Sequence, residues 1–178
     1  MSRIIFATGN QNKMREIREI MQGFQVDGEN VEILSMKEAG VYAEIVEDGK
    51  TFAENAAIKA KAIAALTPGD FVMADDSGLE IDALNKEPGI YSARYLGEDT
   101  SYRIKNAKLI ERLNGVPDEK RMARFVCAIV TVLPDGTLLT TEGTIEGRIG
   151  YEEKGNNGFV YDPIFLVPPY IQTSAELT

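Results

Sequence analysis

The sequence predicts an α/β fold with a mixed sheet, and three observations carry that prediction. The chain opens as strand, tight loop and helix. Its strongest helix then feeds a second buried strand. The remaining strands cluster towards the end. At 178 residues, 44% hydrophobic and 26% charged, the chain has the size and make-up of one soluble globular domain with a real core. No internal repeat, low-complexity tract or linker divides it, so residues 1–178 are expected to form a single domain.

Residues 3–7, RIIFA, read as a short buried strand, and Thr8-Gly9-Asn10 as the turn after it. From about 12 to 22, Met14, Ile17, Ile20 and Met21 recur at helical spacing among charged residues. Residues 31–36 look like a second strand. Residues 51–66, TFAENAAIKAKAIAAL, form the best helix: alanine-rich, with Thr51 and Glu54 as a capping box and Pro68-Gly69 as the stop. Residues 71–74 are a buried strand that Ser77 and Gly78 are expected to turn. Residues 79–84 are a short extended or helical piece, and 100–113 a third helix ending at Asn114-Gly115. Residues 124–133 and 137–144 read as antiparallel strands joined at Pro134-Asp135-Gly136. Residues 159–167 are a last strand interrupted by Asp162-Pro163.

Composition excludes several functions. The net charge of −9 argues against long nucleic acid, whose affinity rests on cationic contacts to phosphates. A small anion in a local pocket, arriving with a metal ion, stays open. No histidine occurs, which removes Ser–His and Cys–His nucleophiles and histidine-ligated zinc. Acid–base work falls to Asp, Glu, Lys, Tyr or water. No apolar run approaches the roughly 18 residues of a membrane span, and the N-terminus lacks a signal-peptide core. The lone Cys127 cannot form an internal disulfide and is expected in the core, which favours a reducing, cytoplasmic compartment.

Five stretches carry possible chemistry. ATGNQNK, residues 7–13, leads a strand through a turn into a helix N-terminus, where backbone N–H groups suit an anion. Lys13 in the first turn opposes the helix dipole, a penalty that a bound phosphate would reverse; a solvated lysine after an Asn-capped turn is an equal reading. Glu47 and Asp48 precede the capped helix, where acidic residues are commonly dipole partners. Glu54 is best explained as the cap. Lys59 lies further along, with Lys61 as a control of no obvious role. In FVMADDSGLE, an apolar strand runs into Asp75 and Asp76. Adjacent carboxylates raise each other's pKa unless a cation is near. Successive strand residues face opposite ways, so the two do different jobs: one to ligate a hard cation such as Mg²⁺, the other to tune it or accept a proton. PGIYSARY (88–95) and NNGFVYDP (156–163) mix glycine with aromatics and could stack on a planar base, though on the residues alone packed turns are the favoured reading.

Together ATGN, EDGKTFAENAAIKA, ADDSGLEIDAL, PGIYSARY, ARFVCA and FVYDPIF, in this order, resemble the inosine triphosphate pyrophosphatase family, the Ham1-like non-canonical purine NTP pyrophosphatases, over nearly the whole chain. The resemblance implies an elongated α/β fold with two lobes around a cleft, usually a homodimer. It implies cleavage of the α–β phosphoanhydride of ITP, dITP or XTP to monophosphate and pyrophosphate. On it, Thr8, Gly9, Asn10, Gln11, Asn12 and Lys13 hold the phosphates, Glu47 and Asp76 bind Mg²⁺, and Asp76 activates water. Lys59 orients that water or a phosphate, Asp75 and Ser77 support the site, and Phe159, Val160, Tyr161 and Asp162 line the base pocket. An acidic protein meeting a polyanion needs such a metal, which also polarises the phosphoryl group; phosphoryl transfer of this kind needs no histidine.

Two departures from the family pattern stand out. Val160 replaces a usual glycine, which would allow close approach or a positive φ. The sequence ends at SAELT, where family members continue through a Lys-containing helix and a Ser-His-Arg segment. That raises the alternative of a nucleotide binder with impaired turnover. A phospho-receiver domain, which also has an acidic pair at a strand end, is disfavoured because its pair lies near the N-terminus and this one lies mid-chain.

Overall fold

The computed structural model describes residues 2–158 and 160–177. Its strands are β1 (Ser2–Phe6), β2 (Gln25–Val26), β3 (Glu29–Ser35), β4 (Phe71–Ile81), β5 (Met122–Val132), β6 (Leu138–Ile149) and β7 (Phe165–Leu166). Its α-helices are α1 (Gln11–Ile20), α2 (Phe52–Ala64) and α3 (Tyr102–Arg112). The strands form one sheet in the order β2-β3-β1-β4-β5-β6-β7. β1 pairs parallel with β3 and β4, whereas β2–β3 and β6–β7 are antiparallel, so the sheet is mixed as the sequence predicts.

The chain divides into two compact units. The first holds Met1–Asp76 and Ala128–Glu142, the second Ser77–Cys127 and Gly143–Thr178. Strands β4, β5 and β6 each begin in one unit and end in the other.

In the first unit β1, β4, β5 and α2 close over a core of Ile5, Ala7, Ala56, Ala60, Ile63, Val72, Ala74, Val130 and Val132. Ala56 and Ala60 are fully buried. Their small side chains let α2 lie close on the sheet at no cost in helix propensity. Thr51 Oγ1 accepts from Glu54 N (3.1 Å), so the expected N-cap forms, worth about 1 kcal/mol, while Glu54 Oε2 accepts from Lys50 N (2.6 Å), one residue before the Thr51 N–H that a capping box would use. Residues 41–49 belong to no strand but alternate in exposure, with Val41, Ala43, Ile45 and Glu47 half-buried and Tyr42, Glu44, Val46 and Asp48 exposed. Val41, Ala43 and Ile45 pack on the core. That period-2 pattern is what aims Glu47 inward and Asp48 out.

The second unit packs Leu79, Ile81, Leu84, Leu109, Leu113, Ala123, Ile149, Tyr161, Ile164 and Phe165 together. Edge-to-face pairs join Tyr102 with Tyr161 and Phe125 with Phe165. Arg121 is 1% exposed. Its guanidinium donates to the carbonyls of Ile149 (2.9 Å), Leu113 (2.8 Å) and Gly150 (2.7 Å), tying β5, β6 and the end of α3 together.

The structure departs from the expected elements in four places. The turn expected at Ser77-Gly78 does not form: β4 continues for eleven residues to Ile81. Leu79 and Ile81 are fully buried, and Leu79 N–H is taken by Ser92 Oγ at 2.9 Å, which holds this stretch extended. The buried positions shift from Val72 and Ala74 to Leu79 and Ile81, so the strand changes its inward face across the acidic pair. The last strand shrinks to Phe165–Leu166. Asp162–Ile164 is a 3₁₀ turn, because Pro163 has no N–H for a ladder and Val160 sits at φ 57°. Cys127, expected in the core, is half-buried, since β5 alternates and buries Val126 and Ala128 instead. Finally, β2 and β3 make a hairpin through Asp27-Gly28 that the sequence analysis does not contain.

Candidate active site

The first unit brings two groups of charged residues together. At the first, α1 begins after Asn10, whose Oδ1 accepts from Asn12 N (2.9 Å) and Lys13 N (3.3 Å). Thr8 Oγ1 accepts from Asn10 N at 3.1 Å and tightens the turn. Gly9, Asn10, Gln11 and Asn12 lie exposed around it, with open space where a Gly9 side chain would stand. Lys13 does not remain a lone cation against the helix dipole. Its Nζ meets Asp75 Oδ2 at 2.6 Å. Asp75 is 5% exposed, so this partly buried pair fixes the lysine at the mouth of the 8–13 turn.

At the second, Lys59 Nζ lies 3.1 Å from Glu47 Oε1. The segment before α2 is drawn onto that helix by Asn55, whose Oδ1 accepts from Gly49 N at 2.8 Å. Gly49 is needed for the approach: a Cβ there would stand 2.7 Å from Asn55 Oδ1 and 2.8 Å from Glu54 Cβ. The Asn55 amide also hydrogen-bonds Asp76. Asn55 thus joins the Glu47 segment to the end of the apolar half of β4. Asp48 and Lys61 are exposed and lie outside this arrangement.

Asp76 has a raised pKa. Burial pushes its pKa above the ordinary range, and the Glu47 charge adds to the rise. The Lys59 charge, the Asn55 hydrogen bond and the Lys13 charge pull it back without cancelling the effect. Its Oδ2 is buried and has no hydrogen-bond partner among the described residues. A buried carboxylate oxygen without a donor is costly, and a hard cation or an attacking water is the natural occupant of its lone pairs. Mg²⁺ takes one or two carboxylates and keeps several waters, so Asp76 with Glu47 fits such an ion. Among the described residues no group of three or more His, Cys, Asp or Glu could hold a metal.

The sequence reasoning did not single out Asn55. The signal was there, since Asn55 interrupts the alanine-rich, inward face of α2 beside Phe52 and Ala56 and is itself 1% exposed.

The remaining candidates belong to the second unit. Ser77 begins it and is half-buried. Phe159 lies outside the described residues. Val160 is half-buried with a left-handed backbone. Tyr161 is 1% exposed. Its hydroxyl donates to Ser92 O at 2.6 Å, and burial raises its pKa, so the ring serves as a core anchor. Asp162 accepts from Ser174 Oγ at 2.7 Å, and its carboxylate occupies the space where a Gly158 side chain would stand.

A mixed α/β sheet whose acidic strand is flanked by two lysine-bearing helices defines a protein suited to binding an anion next to a pair of carboxylates. Comparison with known proteins is specific. The sequence profile of the Ham1 family matches residues 4–178, and the chain belongs to that family. It is 48% identical over 176 residues to the dITP/XTP pyrophosphatase of Exiguobacterium sibiricum, covering 99% of this chain and 86% of that protein. It is 47% identical over 183 residues to the dITP/XTP pyrophosphatase of Clostridium perfringens, covering 100% and 87%. Among solved structures, the Staphylococcus aureus Ham1 protein superposes with a TM-score of 0.86 at 39% identity, over 99% of this chain and 87% of that one. A HAM1 protein from Coxiella burnetii gives 0.88 at 38% identity, over 100% and 88%.

Proposed function

We propose that this protein hydrolyses non-canonical purine nucleoside triphosphates, dITP, ITP and XTP, at the α–β phosphoanhydride, releasing the monophosphate and pyrophosphate and so cleansing the nucleotide pool. The relatives named dITP/XTP pyrophosphatases, at 47–48% identity over essentially the whole chain, support a hydrolase of phosphoanhydride bonds. They also disfavour the reading as a nucleotide binder with impaired turnover. The observation that carries the mechanism is the buried Asp76 Oδ2, without a hydrogen-bond partner among the described residues and set among the charges of Lys59, Glu47 and Lys13.

In this mechanism Asp76 and Glu47 are the residues that would hold Mg²⁺. When bound, that ion offsets phosphate charge and polarises the phosphoryl group. Asp76 accepts the proton of the attacking water. Its raised pKa makes it a stronger base than an exposed carboxylate. Lys59, braced by Glu47, orients that water or a phosphate oxygen. Lys13, held by Asp75, and the 8–13 turn receive the phosphates through charge and backbone N–H groups. Ser77 supports the acidic pair, and Phe159, Val160, Tyr161 and Asp162 form the base side, Tyr161 through its backbone. The same reading has the enzyme in the cytoplasm as a homodimer acting on free nucleotides, not on nucleic-acid polymers or at a membrane; no described helix is long and apolar enough to cross one.

Product analysis tests the reaction. With dITP and Mg²⁺ the expected products are dIMP and pyrophosphate in equal amounts, and EDTA stops their release. Orthophosphate as the first product would overturn the assignment.

A further inference from the structure

Helix α3 carries two consecutive polar residues with essentially no exposure, Lys105 at 0% and Asn106 at 1%. Two buried polar groups side by side in a helix are costly unless they work. They reach the two glycine-aromatic stretches that the sequence analysis left as packed turns or base contacts. Lys105 Nζ donates to Ala93 O at 2.7 Å, within PGIYSARY. Asn106 Nδ2 donates to Glu153 Oε1 at 2.8 Å and to Val160 O at 3.3 Å, at the two ends of the loop that precedes Tyr161.

Val160 gives the second pair of bonds its meaning. Its φ of 57° lies in the left-handed region, where a β-branched residue is strained. Such a conformation persists only where its surroundings over-determine it. The Asn106 bond to the Val160 carbonyl is one such constraint. Others hold the loop at its flank: Asn157 N donates to Ala175 O (2.8 Å) and Thr173 Oγ1 to Lys154 O (2.6 Å). Chemistry also sets the orientation of the amide. Both acceptors, a carboxylate and a carbonyl, demand donors, so the NH₂ end must face them.

We propose that Asn106 is a positioning residue for substrate. By bridging Glu153 and the Val160 carbonyl, it holds residues 153–158 and 160–162 in the backbone form that meets the base. The proposal rests on the base-side reading of Val160–Asp162 and deepens it. It requires that a glycine at 160, which adopts positive φ without strain, make the latch dispensable.

The test uses the full chain and four proteins: wild type, Asn106→Ala, Asn106→Asp and the double variant Asn106→Ala/Val160→Gly. Amide hydrogen exchange reads the latch and steady-state kinetics on dITP read its consequence. In Asn106→Ala, exchange within 153–162 rises about tenfold and KM rises about tenfold, with kcat within about threefold, as for a lost buried hydrogen-bond pair that affects binding. Asn106→Asp is worse, because a carboxylate then faces Glu153 and a carbonyl. The double variant recovers most of the wild-type KM. Unchanged exchange in Asn106→Ala overturns the latch. Raised exchange with unchanged KM overturns the positioning role and removes the loop from the substrate site, while leaving the hydrolase reading intact. A double variant no better than Asn106→Ala reduces Asn106 to a general stabiliser and also overturns the proposal. An inactive wild-type protein contradicts the hydrolase reading itself, and the positioning claim with it.

Discussion

Both units bury charge, and they treat it oppositely. In the second unit Arg121 is enclosed, but its guanidinium donates to main-chain carbonyls at 2.7–2.9 Å and stacks 4.1 Å from the Tyr151 ring. Lys105 likewise meets the Ala93 carbonyl and lies 4.6 Å from the Tyr102 ring. In the first unit Asp76 is desolvated enough to raise its pKa, yet one of its oxygens has no donor among the described residues. Glu47, close enough to add to that rise, is itself tied to Lys59. A buried charge with its hydrogen bonds made holds a fold in place. A buried charge with a bond left unmade stores free energy that a ligand can release.

The comparison breaks most visibly in the first unit. Asp76→Asn keeps the shape and removes the proposed base and metal ligand, so kcat should fall by about 10³-fold or more while the circular dichroism spectrum stays unchanged. An active variant would take Asp76 out of the chemistry. In the second unit Arg121→Met should act on stability alone. It removes the donors to the Ile149, Leu113, Val116 and Gly150 carbonyls, and thermal or urea unfolding should show a loss of about 3 kcal/mol. At temperatures where the variant stays folded, its kcat on dITP should match wild type. The smallest effect sharpens the account. Asn55→Ala removes the hydrogen bond that lowers the Asp76 pKa. The acid limb of kcat/KM should therefore move to higher pH, with about 1 kcal/mol of stability lost at Gly49 and Asp76.

Much of the architecture was legible because local and global preferences agree. The RIIFA strand, the Asn10-capped helix, the Thr51 cap and the third helix before Asn114-Gly115 announce themselves in spacing, caps and stops. Residues 41–49 did not: Val41, Ala43 and Ile45 alternate with Tyr42, Glu44 and Val46, but the segment belongs to no strand, so only its packing reveals which side chains meet the core. Ser77-Gly78 read as a turn because turn propensity is local, whereas Leu79 and Ile81 hold the strand open through tertiary burial. The charged members of the site were visible one by one as Lys13, Glu47, Lys59, Asp75 and Asp76. Which lysine serves which carboxylate was not, since it depends on α1 and α2 meeting β4. Asn55, Lys105, Asn106 and Arg121 stayed hidden, because a buried polar residue has meaning only through its partner. Val160 is the converse case: the sequence flagged the position, and its φ of 57° gives the reason.

The most direct measurement is the thermal unfolding of wild type and Asp76→Asn across pH in metal-free buffer. The folded-state pKa of Asp76 is raised, so the folded protein holds its proton more tightly than the unfolded chain does. Its contribution to stability is therefore full below the unfolded pKa and is lost as pH rises through the folded value. The variant, which carries no charge there, should be the more stable protein at neutral pH, and the gap should close on acidification. A variant less stable than wild type at neutral pH would contradict the account, because it would show Asp76 to be a satisfied structural charge of the same kind as Arg121.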